Sequence, residues 1–311
     1  MAERQKVLSD SDFDALTEVR VREPGRLRTA LAQRRRRPLV GADGQMLLLA
    51  ADHTSRGKLS IGSDPMAAAD RRSLLDRILT GLADSRVDGV LGSADVLEEL
   101  ALLGALDGRL AVGTMNRGGI VGARWELDDR LTAYDAEHVV SMGLDGGKML
   151  LRIEPTDPQV PRTLETVARL TTALADSATM ALIEPLPYRT RPDGGVELDP
   201  SEDALVRMVA IASGLGSSSS HTWLKLPATA DPRRVAAASS CPVLLLGGDV
   251  GREHEKVFRA WERALQLPTI RGLVPGRALL YPEVLSVADA VARAASLVHP
   301  TTTPLTQENR S

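Results

Sequence analysis

Two lysines stand inside apolar stretches of this sequence, where a charged side chain is unexpected. Lys148 lies in GGKMLLRI (146–153) and Lys225 in HTWLKLPA (221–228). Only five of the chain's 38 basic residues are lysines, and the others are arginines. A neutral lysine attacks a carbonyl to form a Schiff base, which arginine cannot do because its guanidinium stays protonated. Burial and a neighbouring ammonium lower the lysine pKa from about 10.4 toward neutrality. These residues therefore point to amine catalysis.

Two carboxylates accompany the lysines at the ends of similar stretches. Glu184 falls in TMALIEPLPY (179–188), and Asp52 closes QMLLLAADH (45–53). Alternate residues of a strand face the same side, so the inward face that carries Lys148 also carries Arg152. If these faces point inward, the charged groups converge and must pair, because unpaired buried ions cost several kcal/mol each. The alternative is that the lysines are only salt-bridge partners.

Short apolar runs that are typical of buried parallel strands recur along the chain and supply the elements that would position these residues. There are eight runs: QMLLLAADH (45–53), VDGVLGSAD (87–95), RLAVGTMN (109–116), GGKMLLRI (146–153), TMALIEPLPY (179–188), HTWLKLPA (221–228), CPVLLLGGD (241–249) and TIRGLVPGR (269–277). Helix-like segments separate most of them. This alternation predicts an α/β fold, a (β/α)8 TIM barrel, with a doubly wound open sheet as the alternative.

The barrel is predicted to span residues 44–299. Residues 1–43 are expected to form an N-terminal helical arm that closes the bottom of the barrel, and residues 300–311 a disordered tail. The run of four arginines at 34–37 is interpreted as a solvated helix end or a salt-bridging patch, in preference to a polyanion site.

Glycines follow the last two predicted strands. Gly247 and Gly248 end the seventh run, and Gly276 precedes Arg277 in the eighth. Loops after these strands of a barrel often bind phosphate through bare backbone amides. We expect these residues to bind a phosphorylated substrate.

Composition excludes several classes of protein. The formal charge of −3 is no footprint for nucleic acid. No apolar run approaches the ~20 residues of a membrane span, and the first twenty residues lack the apolar core of a signal peptide. The single cysteine, Cys241, forms no internal disulfide. We expect a cytoplasmic enzyme without cofactor.

Histidine spacing argues against zinc chemistry, the obvious competitor to amine catalysis on a carbonyl. The chain has five histidines, and none forms an H-x-H or HExxH pattern. We therefore predict no metal site.

The motifs AADH, GGKMLL, LIEPLPY, LKLPA, LLLGGD and GLVPGRALLYP, in this order across residues 46–282, resemble the class I (Schiff-base) aldolases of the deoxyribose-phosphate and tagatose-bisphosphate aldolase superfamily. The resemblance implies that Lys225 forms the Schiff base, Lys148 is the nearby ammonium, Glu184 shuttles protons and Asp52 orients a hydroxyl. It also implies phosphate binding by the glycines and Arg277, and release of dihydroxyacetone phosphate from a ketose phosphate.

AADHTSRGKL and the arginine-rich arm resemble an actinobacterial branch associated with inositol catabolism. This resemblance suggests a sugar-acid phosphate, 2-deoxy-5-keto-gluconate 6-phosphate, as substrate, with Arg152 holding its carboxylate. Two alternatives stay open: a non-catalytic phosphosugar-binding barrel, and a Schiff-base transferase or isomerase. Barrels of this type often form homo-oligomers, so a homo-oligomer is an open expectation, and no surface stripe in the sequence indicates its interface.

Overall fold

The structure is a computed structural model that describes residues 8–116, 119–247 and 253–300. Its strands are β1 Met46–Ala50, β2 Gly89–Gly92, β3 Leu110–Thr114, β4 Gly146–Ile153, β5 Met180–Thr190, β6 Val196–Leu198, β7 Thr222–Pro227, β8 Val243–Leu246 and β9 Ile270–Leu273. Its helices are α1 Asp10–Arg22, α2 Gly25–Gln33, α3 Arg71–Leu82, α4 Ala94–Leu102, α5 Ala136–Ser141, α6 Val160–Asp176, α7 Glu202–Ser213, α8 Pro232–Ala236, α9 His254–Ala264, α10 Arg277–Leu280 and α11 Val287–Val298. None of the described helices is both long and apolar enough to cross a membrane.

Eight of the strands close into a parallel barrel, and each corresponds to one of the eight apolar runs. The order is β4-β3-β2-β1-β9-β8-β7-β5, and a further pairing of β4 with β5 closes the ring. The predicted (β/α)8 barrel is therefore confirmed. An open doubly wound sheet is wrong, because such a sheet leaves two edges unpaired.

The remaining strand, β6, was not predicted. It pairs antiparallel with the end of β5, with Tyr188 opposite Leu198. The intervening segment 191–195, RPDGG, contains Pro, Asp and Gly, which favour turns. This hairpin extends β5 beyond the barrel wall.

Two apolar layers hold the barrel together. The larger lies between strands and helices and includes Leu47 and Leu49 of β1. The smaller fills the barrel interior with side chains of the opposite parity, among them Leu48, Leu182 and Leu244. All five residues of β1 are buried, and their side chains alternate between the two layers, which explains why the run is apolar on both faces. The interior layer is apolar, and the charged residues lie nearer the carboxyl ends of the strands.

The N-terminal helix α1 lies against the outer helices, with Asp10 paired to Arg72 of α3 and Arg20 to Glu99 of α4, whereas the arginine run lies at the bottom of the barrel. Arg34 donates to Asp145 at 2.5 Å and to the carbonyl of Gly143 at 2.8 Å, and Arg37 contacts Asp88 at 2.6 Å. Asp88 and Asp145 immediately precede β2 and β4, so these contacts are at the amino ends of the strands. The salt-bridging interpretation of the run matches this arrangement.

Candidate active site

A group of four ionisable side chains lies at the carboxyl ends of the barrel strands. Glu184 on β5 contacts both lysines: one carboxylate oxygen, Oε1, is 3.4 Å from Lys225 Nζ, and the other, Oε2, contacts Lys148 Nζ. Lys148 Nζ also lies 3.5 Å from Oδ2 of Asp52, which follows β1. The structure therefore brings together the four side chains that the sequence nominated, with Glu184 between the two lysines.

Strand register explains this convergence. Glu184 is opposite Leu150 across the β4–β5 pair. Ile183 is opposite Leu224 on β7, so the residues that follow them, Glu184 and Lys225, lie at the same level of neighbouring strands. Since side chains alternate across a strand, each of these residues faces the barrel interior. The local sequence therefore determines the geometry once the barrel closes.

The two lysines differ in their access to the cleft. Lys148 is completely buried, whereas Lys225 is 5% exposed and lines the open cleft above the barrel. Both contact carboxylates, as buried charges require. Of the two side chains, that of Lys225 therefore faces the cleft, and that of Lys148 lies behind Glu184.

The cleft has a volume of about 380 Å³ and extends from these residues to the ends of β8 and β9. Gly247, Gly276 and Arg277 line it. Gly248 lies outside the described residues. Both described glycines are also required by packing: a Cβ on Gly276 would lie 2.5 Å from the carbonyl oxygen of Ala50, and one on Gly247 would lie 2.7 Å from Ala278 Cβ. The absence of a side chain lets the backbone of each glycine pack closely against its neighbour and leaves its backbone amide uncovered.

Arg152 occupies a different place from the one expected of a substrate ligand. Its side chain is completely buried and is absent from the residues that line the cleft. It donates to both oxygens of Asp129, at 2.7 and 2.9 Å, and to the backbone carbonyl of Glu126. Burial opposes its charged form, but the hydrogen bonds and charge of Asp129 prevail and raise the pKa of Arg152 above its ordinary value. The arginine thus fastens the segment between β3 and α5 to the end of β4.

Besides apolar side chains, the cleft lining includes four polar residues that the sequence did not nominate: His53, Arg56, Lys58 and Tyr188. Three of them belong to the loop after β1. Arg56 donates to the carbonyl of Gly119 at 3.0 Å and lies 3.5 Å from Glu126, which joins this loop to the one after β3. The scarcity of lysine could have identified Lys58 from the sequence, because three of the chain's five lysines (Lys58, Lys148 and Lys225) lie at this site. Tyr188 shares the parity of Glu184 on β5.

A catalytic metal would need several ligands in one place. Across the parts of the chain that the structure describes, His, Cys, Asp and Glu do not gather in groups of three suited to a metal ion. The polar groups of the site are instead ammonium ions paired with carboxylates. This arrangement suits amine chemistry on a carbonyl, in which a lysine and a proton-transferring carboxylate must be adjacent.

Comparison with solved structures places the fold among aldolase barrels. An archaeal fructose 1,6-bisphosphate aldolase is 18% identical, with a TM-score of 0.61 over 88% of this chain and 98% of that one. A fructose-bisphosphate aldolase from Slackia heliotrinireducens is 15% identical, with a TM-score of 0.61 over 94% of this chain and 90% of that one. At such identities the likeness extends to the fold alone. No curated protein matches the chain.

A nearer relative is known by its structure. The Cgl0159 protein of Corynebacterium glutamicum (Brevibacterium flavum) is 43% identical, with a TM-score of 0.91 over 94% of this chain and 99% of that one. The family model described as Cgl0159-like matches residues 44–295, which include every strand of the barrel. The chain belongs to the Cgl0159-like family.

Proposed function

We propose that this protein is a class I aldolase that cleaves a ketose phosphate through a Schiff base on Lys225. The observation that supports this most is the Glu184 carboxylate between two buried lysines, one of which lines the cleft. Likeness of the fold to Schiff-base-forming fructose-1,6-bisphosphate aldolase, at 19% identity and a TM-score of 0.64, is consistent with this chemistry.

The neutral Lys225 amine attacks the substrate ketone and forms a carbinolamine. Glu184, which contacts Lys225, accepts the proton that the Lys225 ammonium gives up on becoming neutral. It returns this proton to the carbinolamine hydroxyl, which leaves as water, and an iminium results. Lys148 keeps a positive charge on the other side of Glu184 and so favours the return of Glu184 to its carboxylate form.

Cleavage of the carbon–carbon bond then requires loss of the proton from the hydroxyl on the carbon that becomes the aldehyde. Asp52, within 3.5 Å of Lys148 and in the cleft lining, is positioned to orient that hydroxyl. The Glu184 carboxylate accepts this proton, the bonding electrons pass into the iminium, an aldehyde departs and an enamine remains on Lys225. Protonation of the enamine carbon and hydrolysis release dihydroxyacetone phosphate and regenerate the amine.

The phosphate is assigned to the ends of β8 and β9. Gly247, Gly276 and Arg277 line this part of the cleft, where barrels commonly hold phosphate. Arg277 also donates to the carbonyl of Ser60 at 3.4 Å, which holds its side chain beside the loop after β1. We assign Gly248 to the same phosphate site on the basis of its place in the sequence.

For the substrate we propose 2-deoxy-5-keto-gluconate 6-phosphate, within inositol catabolism, on the basis of the sequence resemblance. Its retro-aldol cleavage gives dihydroxyacetone phosphate and 3-oxopropanoate, a three-carbon aldehyde that carries a carboxylate. Detectable cleavage of this compound supports the assignment. If the enzyme cleaves another ketose phosphate but not this compound, the substrate assignment is wrong and the aldolase proposal stays intact.

Borohydride trapping with dihydroxyacetone phosphate, followed by peptide mass spectrometry, tests the mechanism. We expect a reduced adduct on the peptide that contains Lys225, and none in Lys225→Met. The matched control is Lys256→Met, because Lys256 is exposed on α9, where it pairs with Glu253 at 3.3 Å. An adduct on Lys148 exchanges the two lysine roles, and no adduct with any ketose phosphate contradicts the proposal.

A further inference from the structure

The proposed phosphate site and the buried Arg152 lie on opposite sides of the barrel mouth. Around the closed ring of eight strands, β4 is four positions from β9. A substrate that places its phosphate at β8 and β9 and its ketone at Lys225 on β7 therefore extends toward β5 and β4. This side of the mouth must receive the part of the substrate that leaves as the aldehyde.

The hairpin of β5 and β6 forms the wall of the cleft on this side. Tyr188 and Leu198 are opposite each other in the hairpin, and both line the cleft. Tyr188 is four residues beyond Glu184 on the same face of β5, which is about 13 Å along a strand. Its side chain is half-buried. Tyr188 is thus above the reacting groups and at the far end from the glycine loops.

The ring of Tyr188 rests on a buried cation. The guanidinium carbon of Arg152 lies 5.5 Å from the ring centroid, within the range of a cation–π interaction. Arg152 is itself fixed by its two hydrogen bonds to Asp129, which is also buried. Asn116 reinforces this support because its side-chain amide donates to the carbonyl of Asp129 at 3.1 Å.

A buried ion pair is a costly way to stabilise a fold, since apolar residues of similar volume often serve as well. Such pairs are retained in some proteins because they define one geometry. Here the geometry defined is that of an aromatic side chain in the cleft wall, whose hydroxyl is both a hydrogen-bond donor and an acceptor.

We infer that Tyr188 is a specificity-determining residue that binds the aldehyde half of the substrate, and that Arg152 and Asp129 are the pair that positions it. The phenolic hydroxyl donates to an oxygen of that half, so the preferred aldehydes carry a carboxylate, phosphate or hydroxyl group. The inference rests on the proposed aldolase function. It adds that the β5–β6 wall of the cleft selects the aldehyde, the product released beside dihydroxyacetone phosphate.

The test separates the two halves of the reaction. Adduct formation with dihydroxyacetone phosphate reports on the phosphate half, and condensation with glyceraldehyde, glyceraldehyde 3-phosphate or 3-oxopropanoate reports on the aldehyde half. For Tyr188→Phe we expect KM for the preferred aldehyde to rise about tenfold, the effect of one hydrogen bond to a polar or charged group, with adduct formation within about twofold of wild type.

Arg189→Ala is the matched control. Arg189 is the next residue of the same hairpin, but its side chain is exposed, pairs with Glu197 at 2.7 Å and does not line the cleft. We expect both half-reactions of this variant to match wild type. If Tyr188→Phe weakens adduct formation as much as it raises the aldehyde KM, or changes neither, the inference is wrong.

The positioning role of Arg152 is tested by Arg152→Lys, which keeps the charge but loses the bidentate contact. If Arg152 acts through Tyr188, the aldehyde KM of Arg152→Lys rises, and the double variant with Tyr188→Phe shows no further rise. Additive effects on the aldehyde KM, or an unchanged KM in Arg152→Lys, contradict this role.

The wild-type enzyme distinguishes failure of this inference from failure of the proposed function. Absence of a dihydroxyacetone phosphate adduct in wild type contradicts the aldolase proposal itself. An adduct in wild type without condensation of any of the three aldehydes contradicts only the assignment of the cleft wall to their recognition.

Discussion

At the scale of single residues, the centre of the site is defined by how closely its charged side chains pair. Two ammonium groups and two carboxylates meet within 3.5 Å contacts, and Glu184 joins the two lysines. In such a group each charge depends on its neighbours, because the low-dielectric interior strengthens both attraction and the cost of an unpaired ion. Glu184 is consequently the most informative residue to change.

We expect Glu184→Gln to lower kcat by about 10²- to 10⁴-fold, because it removes the proton-transferring group but leaves an isosteric amide. Adduct formation on Lys225 should slow as well, since loss of water from the carbinolamine needs the same proton. Rapid-quench borohydride trapping measures this rate. The control is Glu197→Gln on the exposed β6 strand, and a kcat for Glu184→Gln near that of the control contradicts the assigned role.

Parity along the strands was sufficient to nominate Lys148, Glu184 and Lys225, because a barrel strand has only two faces. Loop residues were not predictable in the same way. Arg152 was nominated as a substrate ligand, but Asp129, which arrives from the segment after β3, buries it. No local pattern in the sequence indicates which loop residue will meet which strand end, because that pairing depends on the folded loop.

At the scale of elements, the strand runs were predictable because buried parallel strands are continuously apolar. The β5–β6 hairpin was missed because β6 has only three residues and, like the last residues of β5, is not buried, although the Asp-Gly-Gly turn was a usable signal. The arginine run at 34–37 is a further element-scale feature. Its arginines fasten the arm to the amino ends of β2 and β4, far from the cleft.

We expect Arg34→Ala to lower the free energy of unfolding by about 3–5 kcal/mol, because it leaves the buried carboxylate of Asp145 without its closest partner. Arg35→Ala, the next residue of the run with an exposed side chain, should cost less than about 1 kcal/mol. Urea denaturation measures both. Equal losses in the two variants would contradict a specific role for the Arg34–Asp145 pair.

At the scale of the whole molecule, Asp88 joins the N-terminal arm and the segment after α11 to the barrel. One of its oxygens accepts from Arg37 of the arm, and the other accepts from the backbone of Leu47 at 2.6 Å and contacts His299 Nε2 at 2.9 Å. His299, just after α11, also contacts Asp43 at 2.5 Å through Nδ1. The contacts of Asp88 and His299 thus hold the arm and the segment after α11 at the bottom of the barrel, opposite the cleft, and the charge of these two side chains depends on pH.

The hydrogen bond that His299 donates to Asp88, with further contributions from Asp43, raises the pKa of His299 above its ordinary value although burial opposes this. A raised pKa in the folded state means that protonated His299 stabilises the fold fully below its unfolded pKa of about 6.5. That contribution is lost as pH rises through the folded value. We therefore expect His299→Gln to destabilise the protein more at about pH 5.5 than at about pH 9.

Urea denaturation of wild type and His299→Gln at both pH values measures this difference. Comparing the two proteins at each pH cancels the other titrating groups, which are common to both. A loss of stability that is equal at the two pH values, or that grows as pH rises, contradicts a protonated His299 between Asp43 and Asp88. Because this contact is remote from the cleft, adduct formation on Lys225 should be unchanged in the folded variant, so stability at the bottom and chemistry at the top are separable.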